Sequence, residues 1–491
     1  MIKSNWLKPK KFDTNLVVIG AGSGGLVTAY IAAAVKAKVT LVEKHKMGGD
    51  CLNTGCVPSK ALIRSAKFLS EVARSAEFGI KTASVAFDFA EVMARVQALV
   101  KAVAPHDSIA RYTELGVDVI TGTAKIVTPW TVEVDTGAEI RTITTRSIVI
   151  AAGAKPLVPP IPGLADVGFL TSDTIWNLRI KPKRLLVLGG GPIGCELAQA
   201  FARLGCLVTQ VELLPRLMTR EDDDVSALIL AKFAQEGITV LLAHQAKRFF
   251  VENGDKWMLV EHQGRDMRIG FDQVLLALGR EANVTGYGIA EMGIALSPRK
   301  TVAVNGFQET NYPNIYACGD VAGPYQFTHT AAHQAWTATV NALFGSFKKF
   351  RTDYSVIPWS TFVDPEVARV GLNEQEAKEQ GIAYEVTIYH LAELDRAIVD
   401  SAAHGFVKVL TPPGKDKILG VTIVGDHAGD LIAEFVLAMK YKLGLNKVLG
   451  TIHIYPTMAE ANKYVAGVWK RNHAPLALLK WVERYHRWRR N

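Results

Sequence analysis

Short unbroken apolar runs that lead into glycine-rich turns organise the hydrophobic pattern of this chain. The first run, residues 15–19 (NLVVI), precedes the turn GAGSGG and a predicted helix over residues 26–36. A short continuous run rich in β-branched residues is typical of a buried parallel strand. A second strand is predicted over residues 39–42 and ends at Glu43. The order strand, glycine turn, helix, strand predicts a βαβ unit.

The same pattern recurs later in the chain. Residues 184–188 (RLLVL) lead into GGGPIG, a predicted helix over residues 195–204, a strand over residues 207–211 and then Glu212. The second turn follows the first by 169 positions, and Glu212 follows Glu43 by the same 169. Two chance matches to the glycine pattern would not share the same spacing to a following acid, so the chain is predicted to hold two dinucleotide-binding units.

The glycines of both turns fit the pattern GxGxxG. They let the backbone turn tightly and approach a pyrophosphate, which is then held at a helix N-terminus. The acid at the end of each second strand is placed to accept hydrogen bonds from a ribose hydroxyl. The predicted cofactor-binding residues of the two units are Gly20, Gly22, Gly25 and Glu43, and Gly189, Gly191, Gly194 and Glu212.

A cysteine pair lies just after the first unit, in residues 48–60 (GGDCLNTGCVPSK). Cys51 and Cys56 have four residues between them, at a predicted junction of loop and helix. Reversible disulfide chemistry needs two sulfurs within bonding reach on a mobile backbone. The alternative is that Cys51 and Cys56 are two unrelated small residues of the core. Beside two nucleotide units, the pair predicts electron transfer in series, with a flavin dinucleotide at the first site and a nicotinamide at the second.

Composition bounds the remaining possibilities. A chain of 491 residues predicts about three or four domains. Five cysteines indicate a reducing, cytoplasmic setting, and no apolar run of about 20 residues predicts a membrane span. The basic N-terminal segment is not followed by an apolar stretch, which argues against a secretory signal. The net charge of +9 is partly concentrated at the two ends, and no nucleic-acid-binding motif accompanies it.

Seven motifs together resemble those of the pyridine nucleotide–disulfide oxidoreductases, a family that includes dihydrolipoamide dehydrogenase, mercuric reductase and glutathione reductase. The resemblance covers about residues 13–474. Its carriers are GAGSGG, GGDCLNTGCVPSK, AAG at residues 151–153, GGGPIG, ALGR at residues 277–280, ACGD at residues 317–320 and HIYPTMAE at residues 453–460. The resemblance implies an α/β fold with two Rossmann-like dinucleotide-binding domains and a C-terminal α+β dimerisation domain.

The resemblance also implies a domain order and a homodimer whose active sites are each built from two chains. The predicted domains are residues 1–155 (first part of the FAD-binding domain), 156–280 (NAD(P)H-binding domain), 281–355 (second part of the FAD-binding domain), 356–474 (interface domain) and 475–491 (a basic, aromatic tail).

Individual roles follow from the matched motifs. Cys51 is expected to be the interchange thiol that meets the substrate, and Cys56 the thiol beside the flavin. Lys60 is expected to lie beside the flavin ring and pair with Glu196. Without the family resemblance, the favoured interpretation would be that both residues are solvated charges on helices. Asp320 is expected to hold the flavin ribityl chain. Further cofactor contacts are implied for the matched glycines Gly49, Gly153 and Gly279.

The last motif departs from the family pattern. Tyr455 stands where dihydrolipoamide dehydrogenase and glutathione reductase carry a catalytic histidine, whereas Glu460, which orients that histidine, is present. A tyrosine titrates near ~10 and is a poor base at neutral pH. The expected substrate is therefore a soft metal ion such as Hg(II), as in mercuric reductase. A lipoyl or other disulfide and a quinone remain alternatives, and a non-catalytic binding protein is a remote one. Mercuric reductases usually end in a cysteine pair, but no cysteine follows Cys318 here.

Three smaller predictions complete the set. Glu212 favours NADH over NADPH, although Arg216 and Arg220 lie close in the sequence. No resident metal site is predicted, because the spacing of His329 and His333 is better explained by packing on the flavin. The tail carries Trp481, Tyr485 and Trp488 on one predicted helix face beside a net charge of +4. This face indicates either docking on an anionic membrane surface or packing within the dimer.

Overall fold

The first apolar run forms the centre of a mainly parallel sheet. The computed structural model describes residues 6–490; residues 1–5 of the basic N-terminal segment and Asn491 of the tail lie outside them. The strands are β1 Thr14–Ile19, β2 Val39–Glu43, β3 Val117–Thr121, β4 Thr123–Thr128, β5 Thr131–Asp135, β6 Ile140–Ile150, β7 Ala154–Pro156, β8 Leu170–Thr171, β9 Arg184–Leu188, β10 Leu207–Val211, β11 Thr239–Leu241, β12 Gln245–Glu252, β13 Asp255–His262, β14 Arg265–Phe271, β15 Gln273–Leu276, β16 Arg280–Ala282, β17 Ile315–Ala317, β18 Pro358–Thr361, β19 Glu366–Gly371, β20 Glu385–His390, β21 Phe406–Thr411 and β22 Gly420–Gly425.

Helices connect and cover these strands. They are α1 Ser23–Ala34, α2 Gly49–Asn53, α3 Cys56–Ala73, α4 Phe89–Val103, α5 Ile109–Glu114, α6 Leu164–Val167, α7 Pro192–Arg203, α8 Asp223–Gln235, α9 Ile289–Met292, α10 Thr328–Phe344, α11 Glu374–Glu379, α12 Asp395–Val399, α13 Ala428–Lys440, α14 Leu445–Leu449, α15 Glu460–Asn472 and α16 Leu476–Arg490.

The chain forms two compact units. The first comprises the chain up to Leu69 together with Val85–Leu213 and Ala243–Asp353. The second comprises Ser70–Ser84, Leu214–Leu242 and the chain from Tyr354 onward.

In the first unit, one sheet runs in the order β3-β2-β1-β6-β5-β4, and β17 also pairs with β6. Strands β3, β2, β1, β6 and β17 are parallel to one another, whereas β5 pairs antiparallel with both β6 and β4. Leu16, Val17 and Val18 are all fully buried because helices and the rest of the core cover both faces of β1. A second parallel sheet contains β10, β9, β15 and β8 in that order.

The second unit is built on the antiparallel sheet β18-β19-β22-β21-β20. Its core is apolar and includes the fully buried residues Val407, Val409, Val421, Ile423 and Phe435. Phe435 comes from α13, which packs with α15 against the sheet. The predicted fold class, α/β with two Rossmann-like units and a C-terminal α+β domain, is confirmed.

Residues 66–112 do not form one continuous helical hairpin. Helix α3 begins at Cys56 and ends at Ala73, and α4 begins only at Phe89. Gly79 has φ of +74°, a left-handed conformation that ends the short 3-10 turn before it. Asp88 then caps α4, because its carboxylate accepts a hydrogen bond from the Ala90 amide at 2.7 Å.

The tail is a helix, α16, in which no residue is buried. Trp481 stacks on Tyr485 with ring centroids 6.3 Å apart, and Tyr485 also contacts Trp488. Within residues 6–490, every helix is too short or too polar to cross a bilayer.

Candidate active site

The first glycine turn brings the backbone into contacts that only glycine tolerates. Gly20 has φ of +102°, and a Cβ there would lie 2.5 Å from the Ala151 carbonyl oxygen. Gly22 is the N-cap of α1 and caps it with no side chain, so the first amides of α1 face outward. Gly49 approaches so closely that its Cβ would lie 2.5 Å from the Gly22 Cα. These features suit the close approach of an anion to the backbone.

The acid after each second strand is held by backbone amides. Glu43 accepts hydrogen bonds from the amides of Ala21 at 2.7 Å and His45 at 2.8 Å. Glu212 accepts one from the Gly190 amide. The two carboxylates therefore occupy equivalent positions beside the two glycine turns.

The second glycine turn repeats the geometry of the first. Gly189 has φ of +116°, and its Cβ would lie 2.3 Å from the Ala277 carbonyl oxygen. Gly191 is the N-cap of α7, again without a side-chain cap. A Cβ on Gly191 would meet no atom within 4 Å, so the turn leaves open space for a bound group.

The cysteine pair lies on a tightly bonded turn. Cys51 belongs to α2, and Cys56 is the first residue of α3. The Asp50 carbonyl oxygen accepts hydrogen bonds from the amides of Thr54 at 2.9 Å and Gly55 at 2.7 Å. The start of a helix favours a thiolate, because the helix dipole places partial positive charge there.

The two thiols differ in acidity. A hydrogen bond from the Cys51 thiol lowers the pKa of Cys56 to about 6, and Thr328 and the charge of Lys60 act in the same direction. The Thr328 hydroxyl oxygen lies 3.6 Å from Cys56 Sγ. The same thiol–thiolate hydrogen bond, together with burial, raises the pKa of Cys51. At neutral pH the reduced pair therefore carries its negative charge on Cys56.

Lys60 and Glu196 form an ion pair with Nζ and Oε2 2.9 Å apart. Lys60 lies one helical turn after Cys56 on the same face of α3. Glu196 is 7% exposed and comes from α7. A buried carboxylate needs such a partner, so the alternative of two solvated helix charges does not describe this pair.

Asp320 lies in a largely buried position after β17, and burial raises its pKa to about 6. The uncapped start of α1, the close glycine contacts and this carboxylate together fit a flavin dinucleotide at the first unit. Two of the other glycines predicted to contact a cofactor, Gly153 and Gly279, have positive φ, and a Cβ on either would meet no atom within 4 Å.

Arg280 was not singled out from the sequence, although it ends the ALGR motif. Its Nη2 lies 2.7 Å from Asp50 Oδ2, and its Nε lies 3.8 Å from Asp320 Oδ2. The guanidinium also donates to the Ala154 carbonyl oxygen at 2.9 Å. Arg280 thus links the residue before Cys51 to the predicted flavin-binding aspartate.

The final motif lies in the second unit, where Tyr455 is 65% exposed. Its hydroxyl donates to Asp395 Oδ2 at 3.1 Å, and this hydrogen bond raises the pKa of Tyr455. Glu460 is buried and accepts hydrogen bonds from the Thr457 amide at 3.3 Å and the Tyr464 hydroxyl at 3.2 Å. Asp395, which sequence reasoning missed, is therefore the hydrogen-bond partner of Tyr455.

His453 is committed elsewhere. Its Nε2 lies 3.0 Å from Glu434 Oε1, and its side chain is 6% exposed. It does not replace the missing histidine at position 455. The structure thus groups Cys51, Cys56, Lys60, Glu196 and Asp320 in the first unit and places Tyr455 and Glu460 in the second.

Comparison with known families accounts for both units. Residues 14–335 match the pyridine nucleotide-disulphide oxidoreductase family, and residues 357–466 match the dimerisation domain of the same family. The chain belongs to the pyridine nucleotide-disulphide oxidoreductases. It is accordingly an NAD(P)H-dependent flavoprotein disulfide oxidoreductase that uses FAD, and its dimerisation domain indicates a homodimer.

Relatives of this oxidoreductase have two different names. It is 33% identical to a dihydrolipoyl dehydrogenase of Chlamydia pneumoniae, over 92% of this chain and 95% of that one. It is 34% identical to a mercuric reductase of Streptomyces lividans, over 94% and 98%. Among solved structures, it is similar to the Cu(II) complex of the HOCl-induced flavoprotein disulfide reductase RclA from Escherichia coli, with a TM-score of 0.83, 27% identity and coverage of 92% and 99%.

Proposed function

We propose that this oxidoreductase passes electrons from NADH, by way of FAD and the Cys51/Cys56 pair, to a soft metal ion such as Hg(II). The observation that carries the proposal is the hydrogen bond from Tyr455 to Asp395. A phenol whose pKa is raised above its usual value near ~10 stays protonated at neutral pH. It cannot take a proton from a dithiol substrate, as a histidine near ~6.5 can.

Reduction of a thiolate-bound metal ion needs no such base. Thiolates are preferred ligands of soft metals, and the low pKa of Cys56 supplies one at neutral pH. The overall reaction balances as NADH and Hg(II) giving NAD⁺, a proton and Hg(0). FAD, when bound, supplies two-electron transfer between the nucleotide and the disulfide. Lys60, paired with Glu196, places a positive charge one turn from Cys56 and stabilises the thiolate.

The lengths of the relatives fit this proposal. The match covers 98% of the Streptomyces lividans mercuric reductase, so a protein of that name has nearly the same extent as this chain. Proteins named mercuric reductase therefore do not all need a separate metal-binding domain besides the region that matches this chain.

The proposed nucleotide is NADH. Glu212 lies where it repels a 2′-phosphate and suits a free 2′-hydroxyl. Arg216 is one of the two cations, with Arg220, that weaken this inference from sequence, and it is engaged by Asp223 at 2.8 Å and by the carbonyl oxygens of Glu221 and Thr219. The ratio of kcat/KM for NADH and NADPH tests the proposal, and a ratio that favours NADPH would overturn it.

A second candidate is reduction of a lipoyl or other disulfide. It is favoured by the similarity to dihydrolipoyl dehydrogenase over nearly the full length of both chains.

NADH oxidation by the purified holoenzyme separates the candidates. Hg(II) with excess thiol, Cu(II) with excess thiol, and lipoamide are supplied in parallel, and the C56S variant corrects for non-enzymatic reduction. Turnover with a metal ion and little with lipoamide is expected. Efficient lipoamide turnover without metal-dependent turnover would establish the second candidate instead.

We also propose that α16 contacts an anionic membrane surface. Trp481 and Trp488 are 63% and 71% exposed on a helix that buries no residue, and five basic side chains accompany one acid. Aromatic rings beside cations suit the headgroup region of a bilayer. Flotation with phosphatidylserine vesicles should retain full-length protein and lose a variant lacking residues 475–491. Equal flotation would contradict the proposal, and a smaller oligomer in the truncated variant would show dimer packing instead.

A further inference from the structure

Three potential metal ligands meet at one end of the sheet in the second unit. Asp364, His404 and Asp426 each offer one ligand atom, and these atoms all lie within 4.8 Å of one another. None of the three belongs to the redox site, and the sequence predicted no resident metal. Their positions in the chain are far apart, so only the pairing of strands brings them together.

Strand register explains the meeting. Strand β22 lies between β19 and β21 and is antiparallel to both, so its end lies beside the starts of the other two. Gly425 pairs with Glu366, and Val424 pairs with Phe406. Asp364 and His404 are each separated from the start of their strand by a single residue, and Asp426 directly follows β22. The ligands are therefore carried by the ends of three hydrogen-bonded strands, which is a rigid support.

The imidazole of His404 supplies a second, independent observation. Its Nε2 is buried from solvent and has no hydrogen-bond partner among the described residues. A buried polar nitrogen without a partner is unfavourable, and a metal ion would supply the missing partner.

We propose that Asp364, His404 and Asp426 bind a divalent cation of borderline softness, of which Zn²⁺ is the best match. One imidazole and two carboxylates are ordinary zinc ligands at bond lengths of about 2.0–2.2 Å, and three protein ligands leave a position for water. In tetrahedral geometry such bonds place ligand atoms about 3.4 Å apart, so small side-chain rotations close the triad around the ion. Two carboxylates neutralise its charge.

Two cations near the triad would repel a bound metal ion, but each of them forms an ion pair with an acidic residue. Arg74 and Lys232 both place positive charge near His404. Arg74 pairs with Glu77 at 3.1 Å, and Lys232 pairs with Glu236 at 3.4 Å. The triad thus faces partly neutralised cations.

Zinc binding to the oxidised full-length holoenzyme tests the site. Equilibrium titration with Zn²⁺ should show one ion per chain and a rise in melting temperature, because a ligand that binds only the folded state stabilises it. H404N and D426N should each weaken binding at least tenfold. H427N, which removes the adjacent exposed imidazole, should leave it unchanged.

In the oxidised holoenzyme the redox thiols are joined in a disulfide and so do not bind Zn²⁺. A C51S/C56S variant removes them independently. That variant should bind Zn²⁺ as the wild type does. Binding that is absent, that survives H404N and D426N, or that disappears in H427N would overturn the proposal. Because the reductase assay uses a different site, failure of zinc binding says nothing about metal-ion or lipoamide turnover.

Discussion

Arg280 reaches the carboxylate of Asp50, the residue directly before Cys51, at 2.7 Å. The arginine side chain is only 11% exposed, and it ends the strand-to-turn motif of the second dinucleotide unit. Asp50 is also a negative charge that raises the pKa of Cys56. Arg280 therefore offsets a charge that would otherwise disfavour the Cys56 thiolate.

Replacing Arg280 by methionine should raise the pKa of Cys56, because the charge of Asp50 would then act without its partner. The measurement is a pH titration of the flavin–thiolate charge-transfer absorbance in the two-electron-reduced enzyme. R280K keeps the charge and should titrate close to the wild type. An unchanged titration in R280M would show that Arg280 has only a structural role.

The charge-transfer absorbance of the wild type should disappear as the pH falls through about 6, since protonation of Cys56 removes the thiolate. C56S should lack the absorbance at every pH. C51A should keep it with a midpoint at higher pH, because the hydrogen bond from the Cys51 thiol is the largest effect that stabilises the thiolate. Loss of the absorbance in C51A and its survival in C56S would reverse the roles of the two cysteines.

Lys60→Met should destabilise the protein by about 2 kcal/mol, because it leaves the buried Glu196 carboxylate without its cation. This value is smaller than for a fully buried pair, since the Lys60 side chain is 37% exposed. The double variant K60M/E196L should recover much of the loss, because it removes both charges. Urea unfolding of the single and double variants measures the coupling. Equal losses of stability in K60M and K60M/E196L would argue against an energetic coupling between Lys60 and Glu196.

Ionisation of the buried Asp320 carboxyl group should lower the free energy of unfolding of the FAD-free protein above pH 6. Its pKa in the fold is about 6 against an unfolded value near ~3.9, so the folded state binds the proton more tightly and loses stability as the pH rises through this window. A shift of this size corresponds to about 3 kcal/mol. D320N should therefore melt at a higher temperature than the wild type at pH 7.5 and at a similar temperature at pH 4. The same variant should retain FAD less well, and tighter retention would contradict the proposed contact with the ribityl chain.

Tyr455→His should increase kcat/KM with dihydrolipoamide at least tenfold, because a general base contributes about 10²–10⁴. The gain should appear as the pH rises through the titration range of histidine, near ~6.5. Y455F is the matched control, since it removes the hydroxyl without adding a base. No gain in Y455H would show that residue 455 does not limit dithiol turnover.

Local sequence was sufficient for the parts of the fold that depend on neighbours in the chain. The strands over residues 184–188 and 207–211 match β9 and β10, because unbroken apolar runs bounded by turns leave few alternatives. The break between α3 and α4 is not encoded in hydrophobic periodicity, since it depends on the left-handed Gly79 and the Asp88 cap.

The two dinucleotide units, the cysteine pair between them and the family can be predicted from the sequence, because they rest on glycines, acids and cysteines at short, regular spacings. Which distant side chains meet depends on the folded structure. Asp50 with Arg280, Tyr455 with Asp395, and the triad Asp364, His404 and Asp426 come from segments far apart in the chain. The triad arises from strand order and register and the two pairs from the packing of helices, a loop and the short strand β16, and no local pattern of hydrophobic and polar residues encodes either.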